Sequence, residues 1–293
     1  MRSGVRRSRA VAVVSLVVLA VAWGAIPLFV RAEIPPSHLV AMRVTLGAVV
    51  LVLFSMATTR FTIPRHRRRG VAVLGIALAV HWLAFFVALN LTTVAVTLAI
   101  LYIGPVLAAV LSGPVLHERV SRSAYIGLGV AVVGTLFVIK PGSGATVAGV
   151  AVAAISGLLL AAIMLVGKPL AADLGGLVVA TGELVVASVV LAPFTVQAVR
   201  ESGEYWPQFV VLGALFTGLA GVVYWTSMRR LPVAVVSVIM YLEPASAVVW
   251  AAAFLGEQPD ALTWLGVVLV VAAGTIATRG VPDQETVGVT EAL

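Results

Sequence analysis

Ten apolar stretches follow one another along the chain, at about 10–30, 37–56, 70–90, 93–116, 123–139, 145–166, 176–199, 207–228, 232–255 and 260–278. Each is close to the roughly 20 residues a helix needs to cross the ~30 Å hydrocarbon core of a bilayer. Turn and charge signals part them: Pro35-Pro36, the run from Arg65 to Arg69, His117 to Arg122, Pro141-Gly142, Lys168-Pro169, Arg229-Arg230 and Gly256 to Asp260. The break at 91–93 carries no charge and is placed there because 70–116 is too long for one span. With 61% apolar and 11% charged residues, the 293-residue chain has too little polar surface to cover a water-soluble globule. The spans leave no room for an aqueous domain. Backbone groups in lipid must be satisfied internally, and no segment alternates with period two, so the reading is an all-α membrane protein of ten transmembrane helices.

Charge placement orients those helices. With the N-terminus in the cytoplasm, fifteen of the nineteen Lys and Arg residues fall on cytoplasmic segments: Arg2, Arg6, Arg7, Arg9, Arg60, Arg65, Arg67, Arg68, Arg69, Arg119, Arg122, Lys168, Arg229, Arg230 and Arg279. Only Arg31, Lys140 and Arg200 fall outside, and Arg43 lies within a span. This asymmetry predicts that both termini are cytoplasmic. The cluster Arg65-His66-Arg67-Arg68-Arg69 then reads as a topology anchor touching anionic lipid, and no nucleic-acid partner is expected. Ala20-Val21-Ala22 has the form of a signal-peptidase site, but the run from Ala10 to Val30 suits a span better than a cleaved leader.

The chain repeats itself. At a constant shift of 139, residues 94–132 align with 233–271, with Tyr102 on Tyr241, Pro105 on Pro244, Glu118 on Glu257 and Gly127 on Gly266. At a shift of 140, Arg43 falls on Glu183 and Val49-Val50-Leu51 on Val189-Val190-Leu191. The expected units are five helices over 10–139, five over 145–279, and a cytoplasmic tail over 280–293. Five is odd, so the second unit enters the membrane inverted. Inverted repeats are an architecture of secondary transporters, which hold substrate near the midplane between the halves.

The segment from Val94 to Pro105 through His117-Glu118-Arg119, its echo from Leu231-Pro232 through Tyr241-Leu242-Glu243-Pro244 to Glu257, and Trp23-Gly24 with Arg43 carry a family likeness. On these residues the chain resembles the EamA-type carriers of the drug/metabolite transporter superfamily, over about residues 10–279. Leu242-Glu243-Pro244 is most similar to the threonine/homoserine exporters of that group. The resemblance implies a ten-helix carrier of the cytoplasmic membrane with a central cavity, exporting amino acids or related small amphipathic metabolites. Two positions depart from a symmetric pattern: Gly104 stands opposite Glu243, and Leu160-Ala161-Ala162 offers no counterpart of Trp23.

Ionisable residues inside a span are costly and mark functional sites. Glu243 lies about twelve residues into its span, near the midplane at 1.5 Å per residue. It reads as a proton-coupling carboxylate or a contact for a substrate amine, against a helix-bracing hydrogen bond. Arg43, roughly 10 Å from the outer boundary, reads as a ligand for a substrate carboxylate or part of an outer gate, against a brace to neighbouring carbonyls. Glu183 is a gate candidate at the inverted depth, too far from Arg43 for a direct pair. Tyr102 and Tyr241, each three residues before a helix-breaking proline (Pro105, Pro244), read as cavity lining or as packing. Trp23, His81 and Trp82 add aromatic walls, whereas Tyr224-Trp225 is expected in the interfacial aromatic belt and Glu118 and Glu257 in structural pairs at span ends.

There is no G-x-x-x-x-G-K-[ST], H-E-x-x-H or G-x-S-x-G motif, no cysteine, and four scattered histidines (38, 66, 81, 117). No enzyme activity, metal or cofactor is expected. The function expected is secondary transport of small metabolites by alternating access, with protons as coupling partner, as monomer or homodimer. The rival reading is a membrane scaffold or sensor that retains the carrier fold.

Overall fold

The computed structural model describes residues 2–30, 34–58, 61–142, 144–201 and 203–279. The expected tail over 280–293 lies outside them. The described elements are helices α1 (Arg2–Gly24), α2 (Pro36–Thr58), α3 (Arg65–Leu91), α4 (Val94–Leu101), α5 (Ile103–Leu116), α6 (Arg122–Ile139) and α7 (Val147–Leu174). They continue with α8 (Gly176–Val190), α9 (Ala192–Glu201), α10 (Trp206–Gly213), α11 (Ala220–Met228), α12 (Val233–Met240), α13 (Leu242–Phe254) and α14 (Ala261–Arg279). No strand occurs among the described residues. Among the described residues, nine apolar spans are long enough to cross a membrane, and a tenth if α8 and α9 count as one.

Side chains that compete for backbone donors set several starts. Thr93 accepts from the Val96 amide at 3.2 Å, Ser121 from Ala124 at 3.2 Å, and Thr146 from Gly149 at 3.0 Å. Asp260 accepts from Thr263 at 2.9 Å and also pairs with Lys140. Prolines set the interruptions. The expected span over 176–199 is bent by 73° between α8 and α9, because Pro193 cannot donate to the carbonyl of Val189 and its ring crowds it. The first span ends at Gly24, short of the expected position 30, and Pro27 opens a 3-10 turn over Ile26–Phe29. The fourth and ninth spans break at Tyr102 and Tyr241, so Pro105 and Pro244 each become the third residue of a new helix. There a missing amide costs no internal bond.

The packed interior is built largely of Ala, Val and Leu, while large apolar side chains such as Leu53, Phe54, Met56, Val147 and Phe254 are exposed. That inside-out distribution is what a lipid-facing bundle requires. α6 lies against α14, where a side chain on Gly266 would stand 2.5 Å from the Gly134 carbonyl, so only glycine allows the approach. α3 packs on α7 and α8, and correspondingly α11 packs on α1 and α10 on α2. α5 packs on α7 as α13 packs on α1, and α2 packs on α8.

Between α10 and α11 the chain widens into a π-helical turn over Ala214–Leu219. Such turns free carbonyls from the regular ladder and collect at functional sites.

Candidate functional site

The two proline-led interruptions meet. The Tyr241 hydroxyl donates to the Tyr102 carbonyl at 2.5 Å, and the two rings lie 5.3 Å apart. That carbonyl is accessible because the helix breaks at Tyr102. Glu243 occupies the second position of α13, where free amides and the positive end of the helix dipole favour a carboxylate. Its carboxyl lies near the Tyr102 hydroxyl and near Arg43, close enough to interact with each electrostatically. Arg43 is buried, at 7% exposure, whereas Glu243, Tyr102, Trp23 and Trp82 are each half-buried.

The π turn holds Arg43. Its Nε donates to the Thr217 hydroxyl at 2.9 Å, and its Nη2 lies 3.5 Å from the Phe216 carbonyl. The Trp23 indole donates to that same carbonyl at 2.9 Å, and Thr217 donates onward to the Leu212 carbonyl at 2.9 Å. The guanidinium carbon lies 5.2 Å from the centroid of the Trp82 ring, within cation–π range. Trp82 is stacked with Phe86 at 6.0 Å, and Trp23 lies 6.0 Å from Tyr224. Arg43, Glu243, Tyr102, Tyr241, Trp23 and Trp82, expected from the sequence, thus fall in one cluster of opposite charges walled by aromatics.

Other expected residues make their polar contacts elsewhere, though the His81 ring lies edge-on to Trp82 at 5.4 Å. His81 Nδ1 lies 2.9 Å from the Ser156 carbonyl, and Ser156 returns a hydrogen bond to the His81 carbonyl at 3.1 Å, bracing α3 to α7. Glu183 accepts from the Trp225 indole at 2.7 Å and makes no pair with Arg43. The interfacial placement expected for Trp225 is corrected by this bond. Trp225 is only 2% exposed, its ring lies over Gly167, and Glu183 draws the indole N–H inward. Gly104, opposite Glu243 in the repeat, serves packing: a side chain there would stand 2.5 Å from the Gly157 carbonyl. Sequence reasoning missed Phe216 and Thr217. Their only sequence trace is the pair Gly213 and Gly218, against which Gly47 of α2 packs closely.

A surface cleft of about 420 Å³ lies elsewhere, between α3 and α8, lined by Ile63, Arg68, Val71, Gly182 and Val186 among others. It contains none of the clustered residues.

A bundle of apolar helices whose interrupted spans meet at a shared acidic, basic and aromatic cluster is built as a membrane transporter. Residues 10–140 and again 147–279 match the EamA-like transporter family, and the chain belongs to that family. It is therefore a multi-pass cell-membrane protein. The chain is 23% identical over 277 residues to the uncharacterized transporter YxxF of Bacillus subtilis, covering 91% of this chain and 89% of that one. It is 26% identical over 246 residues to the threonine/homoserine exporter RhtA of Escherichia coli, covering 81% of each. It is 26% identical over 259 residues to the pseudopaline exporter CntI of Pseudomonas aeruginosa, covering 85% and 88%. A crystal structure at 21% identity superposes with a TM-score of 0.79 over 91% of this chain and 98% of its own, which agrees in fold.

Proposed function

We propose that the protein is a secondary exporter of small zwitterionic metabolites, amino acids or close relatives, working by alternating access across the cytoplasmic membrane. The observation that carries this reading is the juxtaposition of Arg43 with Glu243 and Tyr102 between the two interrupted spans. A substrate carboxylate takes the guanidinium, which the π turn holds in a fixed orientation. The substrate amine takes Glu243, and the Tyr102, Trp23 and Trp82 rings flank the remainder. Each substrate charge thus meets a group of opposite charge, so no charge of a bound zwitterion is left unpaired.

The exchanged helix packing, with α3 on α7 and α11 on α1, supports two inverted five-helix units over 10–139 and 145–279. The excess of Arg and Lys at one set of ends supports cytoplasmic termini. Glu243 is the coupling residue: it holds either a proton or the substrate amine, so proton entry exchanges for substrate exit. Names of relatives such as RhtA support export and suggest threonine and homoserine as first probes.

Purified protein in liposomes tests the reading. Wild type concentrates threonine or homoserine when a pH difference is imposed. Glu243→Gln keeps shape and hydrogen bonding, so it folds but loses the response to the gradient. If Glu243→Gln concentrates substrate as wild type does, Glu243 is a structural brace and the coupling mechanism is wrong. Comparing spent medium of an overexpressing strain with that of an empty-vector strain widens the search. A medium unchanged in every amino acid or related zwitterion overturns the substrate class.

A further inference from the structure

The two interrupted spans are equivalent in sequence but unequal in packing. All eight residues of α12 are buried, whereas in its counterpart α4 only Val96 and Thr97 are. α12 packs on α5 and α6, and the exchanged pairings of α4 with α13 and α14 are not matched among the described residues. The bundle is therefore more tightly closed at the α5–α12 end, although Lys140–Asp260 and the Thr146 hydroxyl on the Leu91 carbonyl at 2.7 Å also tie the α4–α13 end.

The closed end carries a lock. Glu118 Oε2 accepts a hydrogen bond from the Val233 amide at 2.8 Å, capping α12, whose N-cap Pro232 has no side chain able to do so. Glu118 Oε1 pairs with Lys168 of α7, and Lys168 also donates to the Leu231 carbonyl. The Glu118 and Lys168 side chains are 7% and 16% exposed. One largely buried ion pair thus ties the end of α5, the end of α7 and the start of α12, across both halves of the chain.

The repeat supplies a matching carboxylate at the other end, Glu257, while Phe29 stands where the repeat would place Lys168. The Glu118 amide bonds the Ser112 carbonyl at 3.4 Å, and the Glu257 amide bonds the Ala251 carbonyl at 3.4 Å, so both carboxylates leave helix ends of matching geometry. Yet Glu257 is exposed and pairs with no described residue, while the start of α4 is capped by Thr93. We propose that Glu118 and Lys168 are gate residues that hold this closed end, and that Glu257 takes up the matching cap at Val94 when that end opens. Opening releases the start of α12, and α12 runs directly to Tyr241 and Glu243, so the lock sets which side the cluster faces. This rests on alternating access as proposed above, but its test reads distances and not transport.

The chain lacks cysteine, so spin labels on Arg119→Cys with Arg230→Cys report the closed end, and labels on Leu91→Cys with Gln258→Cys report the other. Pulsed electron paramagnetic resonance on the full-length protein in liposomes reads both pairs without substrate. In wild type the 119–230 pair is expected in one short population. Breaking a buried pair costs more than enough to raise the ratio of long to short distances at least about tenfold in Glu118→Gln and, independently, in Lys168→Met. In the same variants the 91–258 pair shortens, and adding Glu257→Gln removes that shortening. Variants that are folded and keep wild-type distances at 119–230 overturn the lock. Opening at 119–230 with shortening at 91–258 that survives Glu257→Gln overturns the role of Glu257. If both distance results hold but no substrate moves, the lock stands and the transport reading fails by itself.

Discussion

Thr217 has no charge and no family motif around it, yet the structure makes it the tether of the guanidinium. Replacing it with valine keeps the volume and removes the hydroxyl that accepts from Arg43 Nε at 2.9 Å. Hydrogen bonds to charged groups contribute about 1.5–3 kcal/mol each. Part of that is recovered, because the Phe216 carbonyl at 3.5 Å and the Trp82 ring at 5.2 Å still hold the guanidinium. A net loss of roughly 1–2 kcal/mol corresponds to about a 5- to 30-fold rise in the substrate concentration for half-maximal transport. The assay is uptake by purified protein in liposomes at graded substrate concentration, with Thr217→Ser as the variant that keeps the hydroxyl. Arg43→Gln should reduce transport more severely, and the double variant with Thr217→Val should be no worse than Arg43→Gln alone. The reasoning is refuted if Thr217→Val behaves as Thr217→Ser does, or if its effect adds in full to that of Arg43→Gln.

Two further outcomes test the scaffold. Gly266→Val places atoms against the Gly134 carbonyl and should lower stability by about 1–3 kcal/mol, read as a lower midpoint of thermal unfolding in detergent. Gly274→Val on the same helix, where an added side chain meets nothing within 4 Å, is the control, and equal effects would overturn the close-contact argument. A reporter active only in the cytoplasm should give signal when fused after Arg68 and none when fused within 256–259; the reverse pattern would refute the proposed orientation.

The sequence by itself determined the class of molecule. Ten apolar runs near the length of a bilayer crossing leave the backbone no choice but helices, because nothing in lipid satisfies it from outside. The ionisable residues within those runs were equally legible: each charge costs too much in a span to persist without a partner, so Arg43, Glu243 and Glu183 declared themselves. The Tyr-x-x-Pro repeats announced the interruptions at Tyr102 and Tyr241, since proline stops a helix through local geometry. What the sequence could not decide was pairing, which depends on approach in space. Only the packed bundle brings Glu243 near Arg43 and Tyr102, sends Glu183 to Trp225, and turns His81 to Ser156. The π turn at Ala214–Leu219 has no periodic trace, and it lies where Gly47 of α2 packs closely against Gly213 and Gly218. The inequality of α4 and α12 is likewise invisible in two matching segments, since equivalent sequences are placed in unequal surroundings by which end of the bundle is closed.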